Sequence, residues 1–124
     1  MEINQISPLS LAFIGDAVHT LFVREYLLDN ASSTTPKLQH NGAIKYCRAK
    51  NQARCLDILI PNLTPDEQDL VRRTRNQKNN NIPKSSNIEE YKKATCFEAL
   101  IGFWYLTNQT KKLVKILTEL MEEI

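Results

Sequence analysis

Two long apolar stretches of the sequence each hold one acid. In LAFIGDAVHTLFV, Leu11 to Val23, Asp16 is the only charged residue between Glu2 and Arg24. In ATCFEALIGFWYL, Ala94 to Leu106, Glu98 is the only charge between Lys93 and Lys111. A carboxylate surrounded by apolar groups is costly to ionise and tends to keep its proton unless something compensates it. The compensation is a cation from another helix, a set of hydrogen bonds, or a metal ion. Taken singly, each acid is satisfied by pairing with a lysine, and Asp16 also by capping a helix that restarts at Ala17. Taken together, a shared divalent ion is the more economical solution. Magnesium needs only one or two protein carboxylates, keeps several waters and takes its remaining ligands from substrate phosphate; manganese is its substitute. An ion held this way lowers the pKa of a bound water and neutralises charge on a phosphodiester under attack.

The surroundings of the two acids are alike. Residues three and four positions from Asp16 are Ala12, Phe13, His19 and Thr20, and Gly15 stands beside it. Around Glu98 they are Ala94, Thr95, Ile101 and Gly102. A glycine near each acid leaves room for another backbone to approach closely.

The elements that must position these acids are legible from their starts. Ser7-Pro8, Thr35-Pro36 and Thr64-Pro65 each set a capping hydroxyl before a proline at the first helical position. Thr64-Pro65-Asp66-Glu67 is also a capping box, and Asn87-Ile88-Glu89-Glu90 is a looser version with asparagine as cap. These signals predict helices over about 8–28, a short piece from Pro36, a longer helix over about 43–59, and helices over about 65–77, 88–106 and 111–123. Leu11, Ile14, Val18, Leu21 and Phe22 recur at helical steps, as do Leu113, Ile116, Leu117 and Leu120. No segment alternates apolar and polar residues over strand length, so the expected fold is all-α. At 124 residues the chain is expected to be a single domain, 1–124. The polar, asparagine-rich segment NQKNNNIPKSSN, residues 76–87 with Pro83 near its centre, is expected to be a mobile loop.

Net charge is only +2, yet ten Lys/Arg between Asn30 and Asn87 face four acids there, leaving +6 in the middle of the chain. That asymmetry suits a polyanionic partner. Arg72, Arg73, Arg75 and Lys78 lead into the expected loop and Lys84 lies within it; a solvated helix end explains them equally well. The three cysteines, Cys47, Cys55 and Cys96, form no CxxC pair and are odd in number, which points to reduced, packed thiols of a cytoplasmic protein. His19 and His40 have no Cys or His at zinc-ligand spacing. The N-terminal MEINQISP lacks the build of a secretory signal, and no apolar run approaches the roughly 20 residues needed to cross a bilayer.

LAFIGDAV and KATCFEALIGFWYL, in this order and about eighty residues apart, resemble the two helical signatures of ribonuclease III catalytic domains. The short chain, and RRTRNQK followed by Pro83-Lys84, resemble the family's stand-alone bacterial form, Mini-ribonuclease III, which has no separate double-stranded-RNA-binding domain. The resemblance extends from about Leu9 to the last helix. It implies that Asp16 and Glu98 are the catalytic, magnesium-binding acids. Fuller members of the family place further acids four residues before the first and three before the second, where this chain has Ala12 and Thr95. The implied ligand set is therefore thin: one magnesium, held mainly by Asp16 and Glu98 directly and through water.

The implied reaction is hydrolysis of double-stranded RNA by an endoribonuclease. A metal-activated water attacks phosphorus in line and the 3′ oxygen leaves, giving 5′-phosphate and 3′-hydroxyl ends. The family acts as a homodimer with one acidic site per subunit, one for each antiparallel strand. Its natural substrate class is the 23S ribosomal RNA precursor. Without an accessory domain the grip on RNA falls to the chain itself, with Arg72, Arg73, Arg75, Lys78 and Lys84 as the candidates and Lys37 and Lys50 behind them. The alternative is a non-catalytic RNA-binding or ribosome-assembly protein on the same fold, which the absence of acids at Ala12 and Thr95 keeps open.

Overall fold

The computed structural model describes residues 2–30 (backbone only at Asn30), 35–78, 82, 84 and 87–124. Among these the chain forms α1 (Pro8–Asn30), α2 (Pro36–Cys47), α3 (Ala49–Leu59), α4 (Pro65–Arg75), α5 (Ile88–Leu106) and α6 (Thr110–Glu123), with single 3-10 turns at Ile3–Gln5 and Ile60–Asn62 and no strand. Of the expected loop, residues 79–81, 83, 85 and 86 lie outside the described residues, Pro83 among them.

The helix starts are where the capping signals put them. Ser7 Oγ accepts the Ser10 N–H at 3.1 Å, and Thr35 Oγ1 accepts the Leu38 N–H at 3.3 Å. Thr64 and Glu67 satisfy each other's backbone N–H groups at 3.3 and 2.9 Å. Asn87 Oδ1 takes the Glu90 N–H at 3.1 Å.

The expected continuous helix over 43–59 is broken instead at Arg48, whose extended backbone (φ −70°, ψ 153°) separates α2 from α3. Neither glycine nor proline marks the break. Its cost is offset locally, because the Asn51 side-chain amide donates to the Lys45 carbonyl that the interrupted helix leaves open. The break lets α2 lie on α1 while α3 turns its Gln52, Cys55 and Leu56 inward against α5.

Helix α5 is the central element, contacted by α1, α3, α4 and α6. Its Ala94, Cys96, Phe97, Ala99, Leu100, Ile101 and Trp104 are all buried, joining Leu11, Leu56, Leu70, Leu113 and Leu117 in one core. That envelopment explains why its sequence reads apolar all round. A smaller cluster of Val23, Ala43 and Met121 lies under Phe22, Tyr26 and Leu27.

The buried indole of Trp104 donates Nε1–H to Glu67 Oε2 at 2.7 Å, and Lys112 bonds the same oxygen. Burial raises the Glu67 carboxyl, but Lys112, the Thr64 N–H and Trp104 together hold it below the usual carboxylate range. One acid thereby fastens the start of α4 to α5 and α6.

Helices α1 and α5 cross in backbone contact. A Cβ added at Gly15 would sit 1.7 Å from the Glu98 carbonyl oxygen, and one added at Gly102 would sit 2.0 Å from that of Leu11. The atoms in the way are backbone, so no side chain can turn aside. Gly102→Ala should gain up to about 1 kcal/mol in helix propensity. Separating the helices should cost more, with overpacking typically ~1–3 kcal/mol and higher against backbone. Urea unfolding should therefore show a net loss on the order of 2 kcal/mol; equal or greater stability would contradict the contact.

Candidate active site

The crossing determines where the acids go. Gly15 touches the backbone of Glu98 itself, and Asp16 is its next residue. Asp16 and Glu98 therefore meet at one open cavity of about 400 Å³, lined also by Leu9, Ala12, Phe13, Tyr91 and Thr95. Asp16 is exposed and Glu98 half-buried. Burial, then the hydrogen bond and negative charge of Asp16, push the Glu98 carboxyl up to about 8, while a hydrogen bond from Gln52 pulls the other way.

Neither simpler account of the acids survives. Helix α1 runs unbroken through Asp16, so that residue caps nothing. Among the described residues the ion pairs involve other carboxylates, and no cation lines the cavity. Two facing carboxylates with no positive partner, open to solvent, suit a hard cation that keeps much of its water. No group of three or more His, Cys, Asp and Glu gathers at ligand spacing among the described residues, so such an ion depends on two acids and on water. Ala12 and Thr95 are themselves in the cavity wall. The Thr95 hydroxyl donates to the Tyr91 carbonyl at 2.9 Å, leaving its lone pairs available.

Behind the acids lie two buried polar residues: Gln52, which escaped the sequence reading, and His19, which stood there only as a neighbour of Asp16 without a zinc partner. Gln52 on α3 and His19 on α1 are each 4% exposed, and Gln52 Nε2 lies 3.1 Å from His19 Nδ1. The imidazole stands edge-on to the ring of Phe97, centroids 5.1 Å apart. Burial lowers the His19 pKa to about 4 against the opposing pull of Asp16, so the ring is neutral near neutral pH. A signal for Gln52 was present: it shares the buried stripe of α3 with Cys55 and Leu56, where a polar amide requires partners.

The basic candidates separate. Arg75 and Lys78 line a second cavity of about 450 Å³ that shares Leu9, Tyr91 and Thr95 with the acidic one. Arg75 is also paired to Glu89 at 2.6 Å. Arg72 and Arg73 both bind Asp69 on the exposed face of α4, at 2.5 and 2.8 Å. Lys50 lines a different groove with Arg48 and Arg54, Lys37 is exposed in the first turn of α2, and Lys84 is exposed. Lys92, absent from the sequence-based candidates, lines the same cavity as Arg75. All three cysteines are free, and burial pushes Cys55 up to about 12 and Cys96 to about 11, so these two are inert packed thiols. No helix among the described residues is long and apolar enough to cross a membrane.

Residues 9–109 match the Ribonuclease III domain family. The chain is 45% identical over 112 residues to a Mini-ribonuclease 3 of Symbiobacterium thermophilum, covering 90% of this chain and 85% of that protein. It is 41% identical to one of a Thermoanaerobacter species, covering 90% and 78%. A crystal structure of a Fusobacterium nucleatum protein superposes with a TM-score of 0.87 at 30% identity, covering 98% of this chain and 96% of that one.

The acid pair has a measurable signature in the metal-free protein. The folded state holds a Glu98 proton up to about pH 8, whereas an ordinary glutamate releases it near 4.5. Across that window the native state binds more protons than the unfolded one, so stability falls as pH rises. His19 acts in the opposite sense, but only below its ordinary value of 6.5. Between pH 6.5 and 8 the urea midpoint in EDTA should therefore drop. Glu98→Gln should flatten that drop; a drop of the same size in the variant would assign it to another group.

Proposed function

The chain belongs to the ribonuclease III family, among the Mini-ribonuclease 3 proteins, and is an endoribonuclease; we propose that it hydrolyses double-stranded RNA at the Asp16–Glu98 cavity. Magnesium is the cofactor, with manganese as substitute, and Asp16 and Glu98 hold it. The active form is a homodimer that acts in the cytoplasm on the paired ends of the 23S ribosomal RNA precursor. The observation carrying this reading is the meeting of two carboxylates, from helices remote in the chain, in an open cavity without a cationic partner.

When bound, the ion lowers the pKa of a water and screens the charge that develops on the phosphodiester. The chain's own residues do the rest. An ion in this cavity would be held by Asp16, exposed at the rim, and by Glu98 in its ionised form. Thr95, on the cavity wall, offers hydroxyl lone pairs to a retained water. The water oxygen bonds to phosphorus as the P–O3′ bond breaks and one water proton ends on the departing 3′ oxygen, so the products carry 5′-phosphate and 3′-hydroxyl ends. Arg75, Lys78 and Lys92 receive the phosphates next along the strand, since their cavity adjoins the acids. Arg72, Arg73 and Lys84 add a longer-range positive field. Lys37 and Lys50 are outlying contacts of the same kind. Recognition is by the shape and charge of A-form RNA, whose shallow minor groove exposes 2′-hydroxyls and phosphates.

The dimer reading is supported by the outer face of α1. Phe13 is 79% exposed, Leu21 59% and Leu28 66%, and with Ala17 they fall on one helical face. Exposed Arg24 lies on the same face between Leu21 and Leu28; the rest of the stripe is apolar, a surface of the kind built to be covered. Phe13 heads it and also lines the acidic cavity, so a partner seated there would help enclose the site.

Two measurements test this reading. Asp16→Asn and Glu98→Gln should each abolish magnesium-dependent cutting of a long RNA duplex while filter binding of that duplex is largely retained; parental cleavage by both variants would refute the assignment. Leu21→Arg, which leaves the acids intact, should reduce the mass seen by light scattering from two chains to one of 14.3 kDa. A variant that stays dimeric would move the interface off α1.

A further inference from the structure

We propose that Gln52 is a positioning residue for Glu98, its buried amide giving one N–H to His19 and the other to the Glu98 carboxylate, so that Glu98 is held facing Asp16 before any ion arrives. The inference rests on the reading of the Asp16–Glu98 cavity as the metal site. Its elements come from three helices: His19 from α1, Gln52 from α3 and Glu98 from α5.

The amide nitrogen has two hydrogens and both have a destination. His19 Nδ1 is 3.1 Å away; with the amide nitrogen as donor it accepts, and the proton of the neutral ring then lies on Nε2. The ring cannot turn freely, because it is buried and stands at 90° to Phe97, itself wholly buried and the residue before Glu98. With one hydrogen committed to a fixed acceptor, the direction of the second is fixed as well. We assign it to the Glu98 carboxylate, where such a bond favours the ionised form. The neutral imidazole thus sets which face of the amide Glu98 meets.

A proton shared with Asp16 also draws Glu98 inward, but once that proton leaves, as it must when an ion binds, only the Gln52 bond keeps the carboxylate there. The Asp16 carboxylate opposes its charge, and no cation lines the cavity to draw it back. A flexible carboxylate that swings toward solvent must be re-ordered each time an ion binds. Outer groups that hold a ligand in place typically change metal affinity about 10–100-fold. This chain has Ala12 and Thr95, not acids, at the neighbouring wall positions, so few protein oxygens share the task and the orientation of each matters more.

The test is manganese binding by calorimetry on the intact protein without RNA. Gln52→Leu should weaken binding by about tenfold or more. Its cleavage rate at low magnesium should drop, KM for the duplex should stay near the parental value, and the rate should recover at high magnesium. A role in packing alone would not give that recovery. His19→Phe, which preserves the contact with Phe97 but accepts no hydrogen bond, should show a smaller loss, and the double variant should be no worse than Gln52→Leu.

Manganese affinity within about twofold of the parent in a folded Gln52→Leu protein would overturn the proposal, as would a rate that high magnesium does not restore. Should Gln52→Leu fail to fold, His19→Phe decides by the same titration: weaker binding supports the brace, parental binding overturns it. Asp16→Asn is the control that separates the two readings. If it loses manganese while Gln52→Leu keeps it, only the brace fails; if it too binds as the parent does, the metal-site reading itself falls.

Discussion

The contact of two bare backbones, where α1 crosses α5, governs everything at the site. Gly15 abuts the Glu98 carbonyl and Gly102 abuts that of Leu11, so the separation of the helices is set by main-chain atoms alone. A side chain at either position would wedge them apart. Asp16 follows directly on one glycine, and Glu98 is the very residue the same glycine touches. The meeting of the acids is thus a property of the core, fixed as firmly as the helix packing, and needs no mobile loop to bring them together. It also explains why α5 is buried on nearly every side: α3, α4 and α6 clamp it from the directions that α1 leaves open.

Two glutamates, Glu67 buried and Glu98 half-buried, show how environment assigns different work to one side chain. Glu67 accepts bonds from a backbone N–H, an indole and an ammonium, and its carboxyl is held below the usual range. It is a finished structural joint with no capacity left over. Glu98 is buried against another carboxylate with which it shares a hydrogen bond, has one amide to favour its charged form, and keeps its proton up to about pH 8. Its electrostatic need is unmet within the described chain. Glu67 is satisfied by its own neighbours, whereas Glu98, set against a like charge at a solvent-open rim, has no cation beside it among the described residues.

Much of this was readable beforehand because the signals were local. A hydroxyl before a proline, a Thr-x-x-Glu box and an asparagine cap mark helix starts through bonds made within four residues, and those starts stand. The two acids stood out because nothing else charged surrounds them. What escaped depends on distant partners. The break at Arg48 carries no glycine or proline; tertiary packing imposes it by sending α2 and α3 to different helices. Gln52 pairs with His19, 33 residues away on another helix, and no local spacing announces that partner. Arg72 and Arg73 read as free cations, yet Asp69, one turn away, occupies both.

Helix α1 shows the limit of periodicity as a guide. Leu11, Ile14, Val18, Leu21 and Phe22 keep helical time together, but Leu11 is buried, Ile14, Val18 and Phe22 are partly so, and Leu21 is exposed. The helix is apolar on two faces, so spacing alone cannot say which face belongs to the core. Packing decides: the glycine face must take α5, because only there can the backbones touch. The face carrying Phe13, Ala17, Leu21 and Leu28 is then the one left outward. Asp16 lies on the border between them, reached by solvent yet fixed by the crossing. One helix therefore ties the core, the acids and an outward apolar surface into a single rigid part. Anything that settles on the outer face at Phe13 acts on the cavity through that residue's own ring, with no conformational relay required.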